Sequence, residues 1–316
     1  MNWTGALAQI IELLLAVLLA PMLTGWVNQC RAWLQNRSGP GILLPYRTLS
    51  KLLLKDVVLA HDASPLFRVA PYVVFGCMCL AAAIVPTLGT DLPFAAAADA
   101  IALVGIFALA RIFVALAAMD VGTAFGSLGA RREMMIGFLA EPALLMVLFT
   151  ASLISQSTSL ATTVEKLVRL ELGIYPSLAF AGVAFTMVSL AENARIPVDN
   201  PATHLELTII HEAMILEYSG RHLALVEWAA SIKLFVYSCI GIAIFFPFGI
   251  AEGGDVLGIV LAVPALAAKL AVGGFLLALI ETMSAKVRIF RVPEFLGTAF
   301  MLAVLAMLVH FLLEVG

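Results

Sequence analysis

Residues 5–28 read GALAQIIELLLAVLLAPMLTGWVN, an almost uninterrupted apolar run. A helix needs about 20 predominantly apolar residues to cross the hydrocarbon core of a bilayer. Seven more runs of this kind follow, near 67–88, 98–120, 134–156, 174–192, 225–247, 256–283 and 294–314. A β-barrel would need short alternating strands, which the sequence lacks, so helices must satisfy the backbone. The pattern predicts an all-α, polytopic membrane protein with about eight transmembrane helices.

The composition predicts a single integral membrane domain over residues 1–316. Of these residues, 62% are hydrophobic and 12% are charged, whereas soluble domains are about half apolar and a quarter charged. The net charge of −3 argues against a nucleic-acid partner. The first apolar run lacks a basic leader and a small-residue cleavage site, which predicts a retained helix rather than a signal peptide.

Cysteine usage argues against a redox or metal centre on this chain. Cys30, Cys77, Cys79 and Cys239 are scattered, and no CxxC pair is present. Iron–sulfur clusters and structural zinc sites are usually held by closely spaced cysteines. Buried apolar thiols are therefore expected, with no metal ligands among the cysteines.

The distribution of basic residues predicts the orientation in the membrane. Lys and Arg are concentrated in alternate loops, at about 29–66, 121–133, 193–224 and 284–293. The opposite loops hold only Lys166 and Arg169. Cytoplasmic loops carry an excess of Lys and Arg, so the basic loops are predicted to be cytoplasmic. Both termini would then lie on the outer side of the cytoplasmic (inner) membrane.

The first basic loop contains a pattern typical of an interfacial helix. Residues 45–60, PYRTLSKLLLKDVVLA, place leucines and valines on one helical face and Arg47, Lys51 and Lys55 on another. Pro45 is suited to the first turn of such a helix. A membrane-surface anchor and a role in a ligand site both remain open.

Nine ionisable groups lie inside the apolar runs or at their ends. They are Asp99, Arg111, Asp120, Glu141, Glu192, Glu227, Lys233, Lys269 and Glu281. A charge near the bilayer centre costs about 2.5–3.5 kcal/mol on insertion scales, so these groups must face one another, water or partner subunits. Arg111 and Lys233 are interpreted as counter-ions, because Arg does not titrate usefully. Carboxylates can exchange protons when burial perturbs them, which makes Asp120, Glu141 and Glu192 candidates for a proton path.

The densest charged stretch is 191–220, AENARIPVDNPATHLELTIIHEAMILEYSG. Pro197 and Pro201 prevent a regular helix at its start, and helical spacing resumes near residue 202. A metal site built from His204, His211 and Glu212 is disfavoured, because HEAMI lacks the second His of an HExxH motif. Proton handling or contact with a partner is the preferred interpretation, and a solvated loop is the alternative.

These motifs together resemble the membrane subunit 1 family of respiratory complex I, and more closely its relatives in formate hydrogenlyase and other group 4 energy-converting hydrogenases. The resemblance rests on Arg37-Ser38-Gly39-Pro40-Gly41, Tyr46-Arg47, Lys51-Leu52, Arg111, Asp120, Gly129-Ala130-Arg131-Arg132-Glu133, Glu141-Pro142, Glu192, Pro197, Asp199, Glu206-Leu207, Glu217-Tyr218-Ser219-Gly220, Trp228, Lys233, Lys269, Glu281 and Arg288. Gly41 stands where complex I relatives carry Asn, which favours the hydrogenase branch. Thr48, Ala202 and His204 stand where relatives carry acids.

The resemblance implies a subunit without its own redox centre that couples electron transfer to ion translocation. Iron–sulfur clusters and a nickel–iron centre would belong to partners on the cytoplasmic face: the hydrogenase large and small subunits and a ferredoxin-like subunit. Antiporter-like subunits would be its partners within the membrane. Alternatives are a quinone-binding subunit of an NADH dehydrogenase-type complex, a stand-alone ion transporter and a purely structural anchor.

Two groups of candidate residues follow. The proton-path or coupling group consists of Glu192, Asp199, His204, Glu206, Glu212, Glu217, Asp120, Glu141, Lys233, Lys269 and Glu281. The docking group consists of Arg37, Gly39, Pro40, Arg47, Arg131, Arg132 and Arg195. No catalytic residue and no metal ligand is expected on this chain.

Overall fold

The structure is a computed structural model that describes residues 3–60, 62–89, 93, 99–169, 175–199, 210–251, 256–285, 287 and 291–314. The α-helices in chain order are α1 (Trp3–Leu34), α2 (Leu44–Leu53), α3 (Pro65–Ile84), α4 (Ala100–Asp120), α5 (Ala124–Ser155), α6 (Leu160–Arg169), α7 (Pro176–Glu192), α8 (His211–Ile215), α9 (Gly220–Phe245), α10 (Val256–Met283) and α11 (Val292–Val309). A π-helical turn, His310–Glu314, follows α11 directly.

The predicted all-helical membrane fold is confirmed. Among the described residues, seven helices are long and apolar enough to cross a membrane: α1, α3, α4, α5, α9, α10 and α11. The shorter apolar helix α7 has 17 residues and a length of about 25 Å, which is close to the thickness of the hydrocarbon core. With α7 included, each of the eight apolar runs corresponds to one helix.

One predicted loop is wrong. The segment 121–133 was expected to be a cytoplasmic loop, but α5 already begins at Ala124, so Arg131 and Arg132 lie on a helix. Gly122 takes a positive φ of 74° and turns the chain after α4. Thr123 then caps α5, because its side chain accepts a hydrogen bond from the Gly126 N–H at 3.3 Å.

Two other helix boundaries differ from the sequence prediction. The helix α9 begins at Gly220 rather than near 225, so Arg221 is in its first turn. The helix α6 was expected to be part of a loop. Its buried residues Leu160, Val164 and Leu167 recur at helical spacing, which was the available signal. The helical spacing predicted from residue 202 falls mostly on residues 200–209, which lie outside the described part.

The interfacial helix predicted around 45–60 is present as α2. Leu49 is buried on its inner side, where α2 packs against α1 and α9. Leu53 and Leu54 are exposed next to Lys51 and Lys55. An exposed apolar edge beside basic side chains is typical of a helix that lies in the membrane interface.

The long helices pack around an apolar core. Their packing also brings charged residues of different helices close together. The helix α4 packs between α3 and α5, α9 packs against α1 and α3, and α11 covers α5 and α7. Tyr237 on α9 stacks between Phe107 and Phe185, with ring centroids 4.9 Å and 6.3 Å away. This packing places α4, α5, α7 and α9 around one buried arginine.

Candidate functional site: a buried charge cluster

Arg111 on α4 is the centre of the candidate site. Its side chain is only 3% exposed and contacts three carboxylates from other helices. Its Nη1 is 2.7 Å from Glu141 Oε1, and its Nε is 3.3 Å from Glu133 Oε1, both on α5. Its Nη2 donates to Glu192 at the end of α7. One guanidinium therefore links three helices.

Lys233 on α9 completes the cluster from the opposite side of Glu192. Its Nζ is 2.8 Å from Glu192 Oε2, while Arg111 contacts the other oxygen of the same carboxylate. The Glu192 side chain is 1% exposed, so both of its oxygens are compensated by cations rather than by bulk water. A buried charge requires such partners, because its desolvation cost is large. The cluster holds three carboxylates against two cations, so one proton can be added without an excess of positive charge.

A glycine gives Arg111 the space it needs. A methyl group at Gly137 would lie 2.1 Å from Arg111 Nη1, well inside contact distance. Gly137 is on α5 one turn before Glu141, so the guanidinium passes over bare backbone to reach its carboxylate partners. Any side chain at this position would displace the centre of the cluster.

A second buried carboxylate lies at the same end of the molecule. Glu281 on α10 has a fully buried side chain that is paired with two arginines. Arg195 Nη1 donates to Oε1 at 3.2 Å, and Arg31 Nη1 on α1 donates to Oε2 at 3.4 Å. Glu281 therefore joins α1, α10 and the turn that follows α7.

The turn after α7 connects the two groups of charges. Asn193, Ala194 and Arg195 follow Glu192 directly, and the Ile196–Pro197 peptide bond is cis. The Val287 N–H donates to the Pro197 carbonyl at 3.0 Å, which fixes the turn against the segment after α10. Glu192 is therefore connected to Glu281 by Asn193, Ala194 and Arg195. A displacement of Glu192 would be transmitted to Glu281 along this short path.

Three cavities adjoin these charges. A cavity of about 100 Å³ borders Arg111, Glu192 and Lys233, and one of about 290 Å³ borders Arg195 and Glu281. A third, of about 400 Å³, extends to α2 and α9. Asn193 and His211 line all three cavities, so the three cavities adjoin one another at these two residues.

The remaining residues predicted in 191–220 are placed as follows. Asp199 is 3% exposed, and its Oδ2 accepts a hydrogen bond from the His211 N–H at 3.1 Å. Glu212 lines the two larger cavities, and Glu217 is exposed nearby. His204 and Glu206 lie outside the described residues.

Two membrane candidates lie away from the cluster. Asp120 ends α4, and its Oδ2 accepts a hydrogen bond from the Ser64 N–H at 2.9 Å, just before α3. Burial and the charge of Asp120 raise the pKa of the Tyr218 hydroxyl. Lys269 on α10 donates to the carbonyls of Phe246 and Phe248, beyond the far end of α9. The structure brings neither Asp120 nor Lys269 to Arg111.

The predicted docking residues are mostly at the surface. Arg37, Pro40, Arg47 and Arg131 are exposed, and Arg132 is half-buried. Gly39 approaches Gln29 so closely that a methyl group would lie 2.2 Å from its amide oxygen. That same oxygen accepts the Gly41 N–H at 3.1 Å, so the 37–41 turn is held against α1. Arg195, by contrast, is engaged with Glu281.

The sequence prediction gave no role in the site to three charged residues that are buried or that pair with buried residues. Glu133 was assigned to a loop, and Arg31 was counted only as a loop charge. Glu12 was overlooked, although it is the single acid in the first apolar run and is 2% exposed. Among the described residues, no group of three or more His, Cys, Asp or Glu is arranged to hold a metal ion.

Comparison with known sequences assigns the chain to a family. The sequence model described as "NADH dehydrogenase" matches residues 7–312. The chain belongs to the NADH dehydrogenase family. The predicted relationship to complex I subunit 1 is therefore confirmed.

Curated members of this family show which branch is similar. The chain is 32% identical to formate hydrogenlyase subunit 4 of Escherichia coli (strain K12) over 302 residues, covering 96% of this chain and 97% of the relative. It is 34% identical to hydrogenase-4 component C of the same organism over 247 residues, covering 78% and 76%. A subunit of the NADH-quinone oxidoreductase of Thermomicrobium roseum is 30% identical over 231 residues, covering 66% of each chain.

A solved structure shows the same fold. A chain of the membrane-bound sulfane sulfur reductase (MBS), an archaeal respiratory membrane complex, matches with a TM-score of 0.81 at 17% identity. The match covers 96% of this chain and 98% of the other. The arrangement of helices is thus that of a chain from a respiratory membrane complex.

Proposed function

We propose that this protein is the membrane subunit of a group 4 hydrogenase complex of the formate hydrogenlyase type, which couples electron transfer in a cytoplasmic module to ion translocation. The observation that carries the coupling role is the position of Glu192. It is buried between Arg111 and Lys233, at the helix end that leads into the 193–199 turn. Ionisable residues buried within membrane-spanning segments mark ion pathways and proton relays.

The branch is supported by the relatives named formate hydrogenlyase subunit 4 and hydrogenase-4 component C. Both are more than 30% identical, and one is matched over nearly its whole length. Their names describe components of larger assemblies, which argues against a stand-alone transporter. The nickel–iron centre and the iron–sulfur clusters would then be carried by other subunits.

The exposed arginines Arg37, Arg47 and Arg131 support docking on the cytoplasmic side, in line with the positive-inside rule. This orientation would put both termini on the outer side of the inner membrane. Hydrogenase subunits and a ferredoxin-like subunit are the proposed partners on that side. Antiporter-like subunits are the proposed partners along the helices.

The cluster suggests how an electron-transfer event could be converted into charge movement. A proton arriving at Glu192 would weaken its pairs with Arg111 and Lys233, because an uncharged carboxyl attracts cations less strongly. Lys233 and Arg111 would then interact more strongly with Glu141 and Glu133. Through the 193–199 turn, the same change would reach Arg195 and Glu281. We assign the relay to Glu192, Glu141, Lys233 and Glu281.

The test uses the intact complex, purified and reconstituted into liposomes. We expect nickel in the complex, hydrogen evolution by the wild type, and ion uptake coupled to it. Glu192→Gln should lose ion uptake, because it keeps the shape of the side chain but removes its charge. Glu294→Gln, in the first turn of α11 and outside the charge cluster, is the matched control.

Two results would contradict the proposal. A complex without nickel or hydrogen evolution would remove the hydrogenase assignment. Wild-type ion uptake per hydrogen molecule in Glu192→Gln would remove the coupling role from the cluster.

A quinone-binding subunit is the second candidate. The cavity of about 400 Å³ beside α2 is of a size that holds small ligands, and it is lined by Leu44, Leu49 and Leu234 as well as by Glu212 and Glu227. One relative is also named as part of an NADH-quinone oxidoreductase. Quinone-dependent turnover by the purified complex, blocked by a quinone-site inhibitor, would favour this function over hydrogen evolution.

A further inference from the structure

Glu12 is a buried carboxyl group outside the charge cluster. It lies on α1, 19 residues before Arg31, which corresponds to about 28 Å along the helix. Arg31 contacts Glu281 near the end of α10. Glu12 is therefore separated from the Arg31–Glu281 pair by nearly the thickness of the hydrocarbon core.

The contacts of Glu12 are unequal at its two oxygens. Oε1 accepts three backbone hydrogen bonds, from the N–H groups of Thr87, Leu88 and Gly89 at 3.2, 2.7 and 3.2 Å. Oε2 is buried and has no hydrogen-bond partner within 3.5 Å among the described residues, and the Thr87 side chain is the polar group near the carboxyl. One oxygen is thus fixed to the connection after α3, and the other is left for a further partner or a proton.

The charge balance of Glu12 differs from that of Glu192 and Glu281, the other glutamates that are buried in the described part of the chain. Glu192 and Glu281 each contact two cations, whereas Glu12 has no ion pair with a described residue. Burial without a cation favours the neutral acid. Three N–H donors on one oxygen favour the carboxylate. These opposed influences suit a group that alternates between the two forms.

Titratable side chains on α9 lie between the cluster and Glu12. Lys233 Nζ lies 6.0 Å from the ring centre of Tyr237, one turn further along the helix. The Tyr237 side chain is buried close to Glu192, and Cys239 is buried within electrostatic reach of Glu12. Residues 233 and 239 are about 9 Å apart along α9. Among the described residues, the Cys239 thiol is a titratable group within electrostatic reach of Glu12.

We infer that Glu12 takes up and releases a proton in the half of the membrane opposite the Arg31–Glu281 pair, and so extends the proton path of this subunit across the span. The step is an acid–base exchange with water: a hydronium ion gives its proton to Oε2 and becomes water as the Oε2–H bond forms, and water accepts that proton when the bond breaks, with no change of oxidation state. The inference rests on the proposed role in ion translocation, and it adds a site that the coupling cluster does not include.

The Glu12→Gln variant separates a structural role from a proton-carrying one. Glutamine retains a carbonyl oxygen for the three N–H donors but cannot exchange a proton. Gln9→Leu is the matched control, because it removes the bond from Gln9 Nε2 to the Ala83 carbonyl, one turn away, and leaves Glu12 in place. Both variants are made in the whole complex and reconstituted into liposomes.

We expect Glu12→Gln to evolve hydrogen but to lose proton uptake, because removing a proton-transferring side chain slows transfer by about 100-fold or more. Gln9→Leu should keep proton uptake. Infrared difference spectra across a pH change should show a protonated-carboxyl band in the wild type that is absent in Glu12→Gln. The band should shift in Glu12→Asp, which retains a carboxyl group. This variant provides the test if Glu12→Gln fails to assemble.

Wild-type proton uptake in Glu12→Gln, or no titrating carboxyl band that responds to Glu12→Asp, would overturn the inference. The infrared result does not depend on hydrogen evolution. A wild-type complex that shows the band but evolves no hydrogen would contradict the proposed hydrogenase function while leaving the proton exchange at Glu12 standing.

Discussion

Gly137 lies directly under the guanidinium of Arg111, so that a methyl group at residue 137 would be 2.1 Å from Nη1. Gly137→Ala must therefore move either the arginine or α5, and overpacking of this kind costs about 1–3 kcal/mol. We expect a lower unfolding temperature of the purified complex and weaker coupling of ion uptake to turnover.

Gly105→Ala is the control for this substitution. Gly105 is on the same helix as Arg111, and a methyl group there would meet nothing within 4 Å. Alanine favours helix by about 1 kcal/mol over glycine, so this variant should be as stable as the wild type or slightly more so. Equal stability of Gly137→Ala and Gly105→Ala would show that Arg111 has room to move.

Replacement of Arg111 tests whether one cation is needed by all three carboxylates. Arg111→Gln leaves Glu133, Glu141 and Glu192 with Lys233 as their remaining cation in the cluster, and breaking a buried pair costs about 3–5 kcal/mol. Arg111→Lys keeps the charge but loses the planar guanidinium whose three nitrogens each face a different carboxylate, so it should fall between Arg111→Gln and the wild type.

The yield of assembled complex and its unfolding temperature measure this order. Since protonation of the carboxylates would relieve their repulsion, Arg111→Gln should recover part of its stability as the pH is lowered. A variant that is equally unstable at all pH values would contradict this account of the cluster.

Much of the fold was predictable because each apolar run is long and continuous. Runs of spanning length predict helices whatever their partners, and every run near the predicted positions is a helix. The start of α5 was not predictable from hydropathy, because it depends on the turn at Gly122 and the cap at Thr123. These local features converted most of a predicted basic loop into helix.

The charge cluster was only partly predictable, for a different reason. Arg111, Glu141, Glu192 and Lys233 were each identified as costly in a membrane, but their pairing depends on how four helices pack. No spacing along the chain relates Arg111 to Glu192, because they are 81 residues apart. Glu12 was missed because a single acid barely alters the hydropathy of the first run.

The two arginines that hold Glu281 should differ in importance. The Arg31 side chain is 34% exposed and that of Arg195 is 16% exposed, so water screens the Arg31 pair more strongly. Arg195→Gln should therefore destabilise the complex more than Arg31→Gln does.

Glu281→Gln should cost more than either arginine substitution, because it leaves two guanidinium groups without their shared carboxylate. Unfolding temperatures of the three variants give the order. In a double-mutant cycle, Arg195 and Glu281 should show the larger coupling energy. A larger coupling between Arg31 and Glu281 would contradict the exposure argument.

Tyr218 fixes the start of α9 against α3, and its hydroxyl gives a test by pH. Its ring stacks on Phe67 with centroids 4.1 Å apart, and its hydroxyl donates to the Phe67 carbonyl at 3.2 Å. Tyr218→Phe keeps the stacking but loses a hydrogen bond worth about 0.5–1.5 kcal/mol.

Because the folded protein raises the pKa of Tyr218, only the unfolded chain ionises it above about pH 10. The stability advantage of the wild type over Tyr218→Phe should therefore be constant below that pH and shrink above it. Denaturation of both proteins between neutral and alkaline pH measures this, and an advantage that grows at alkaline pH would show that Tyr218 is not buried as described.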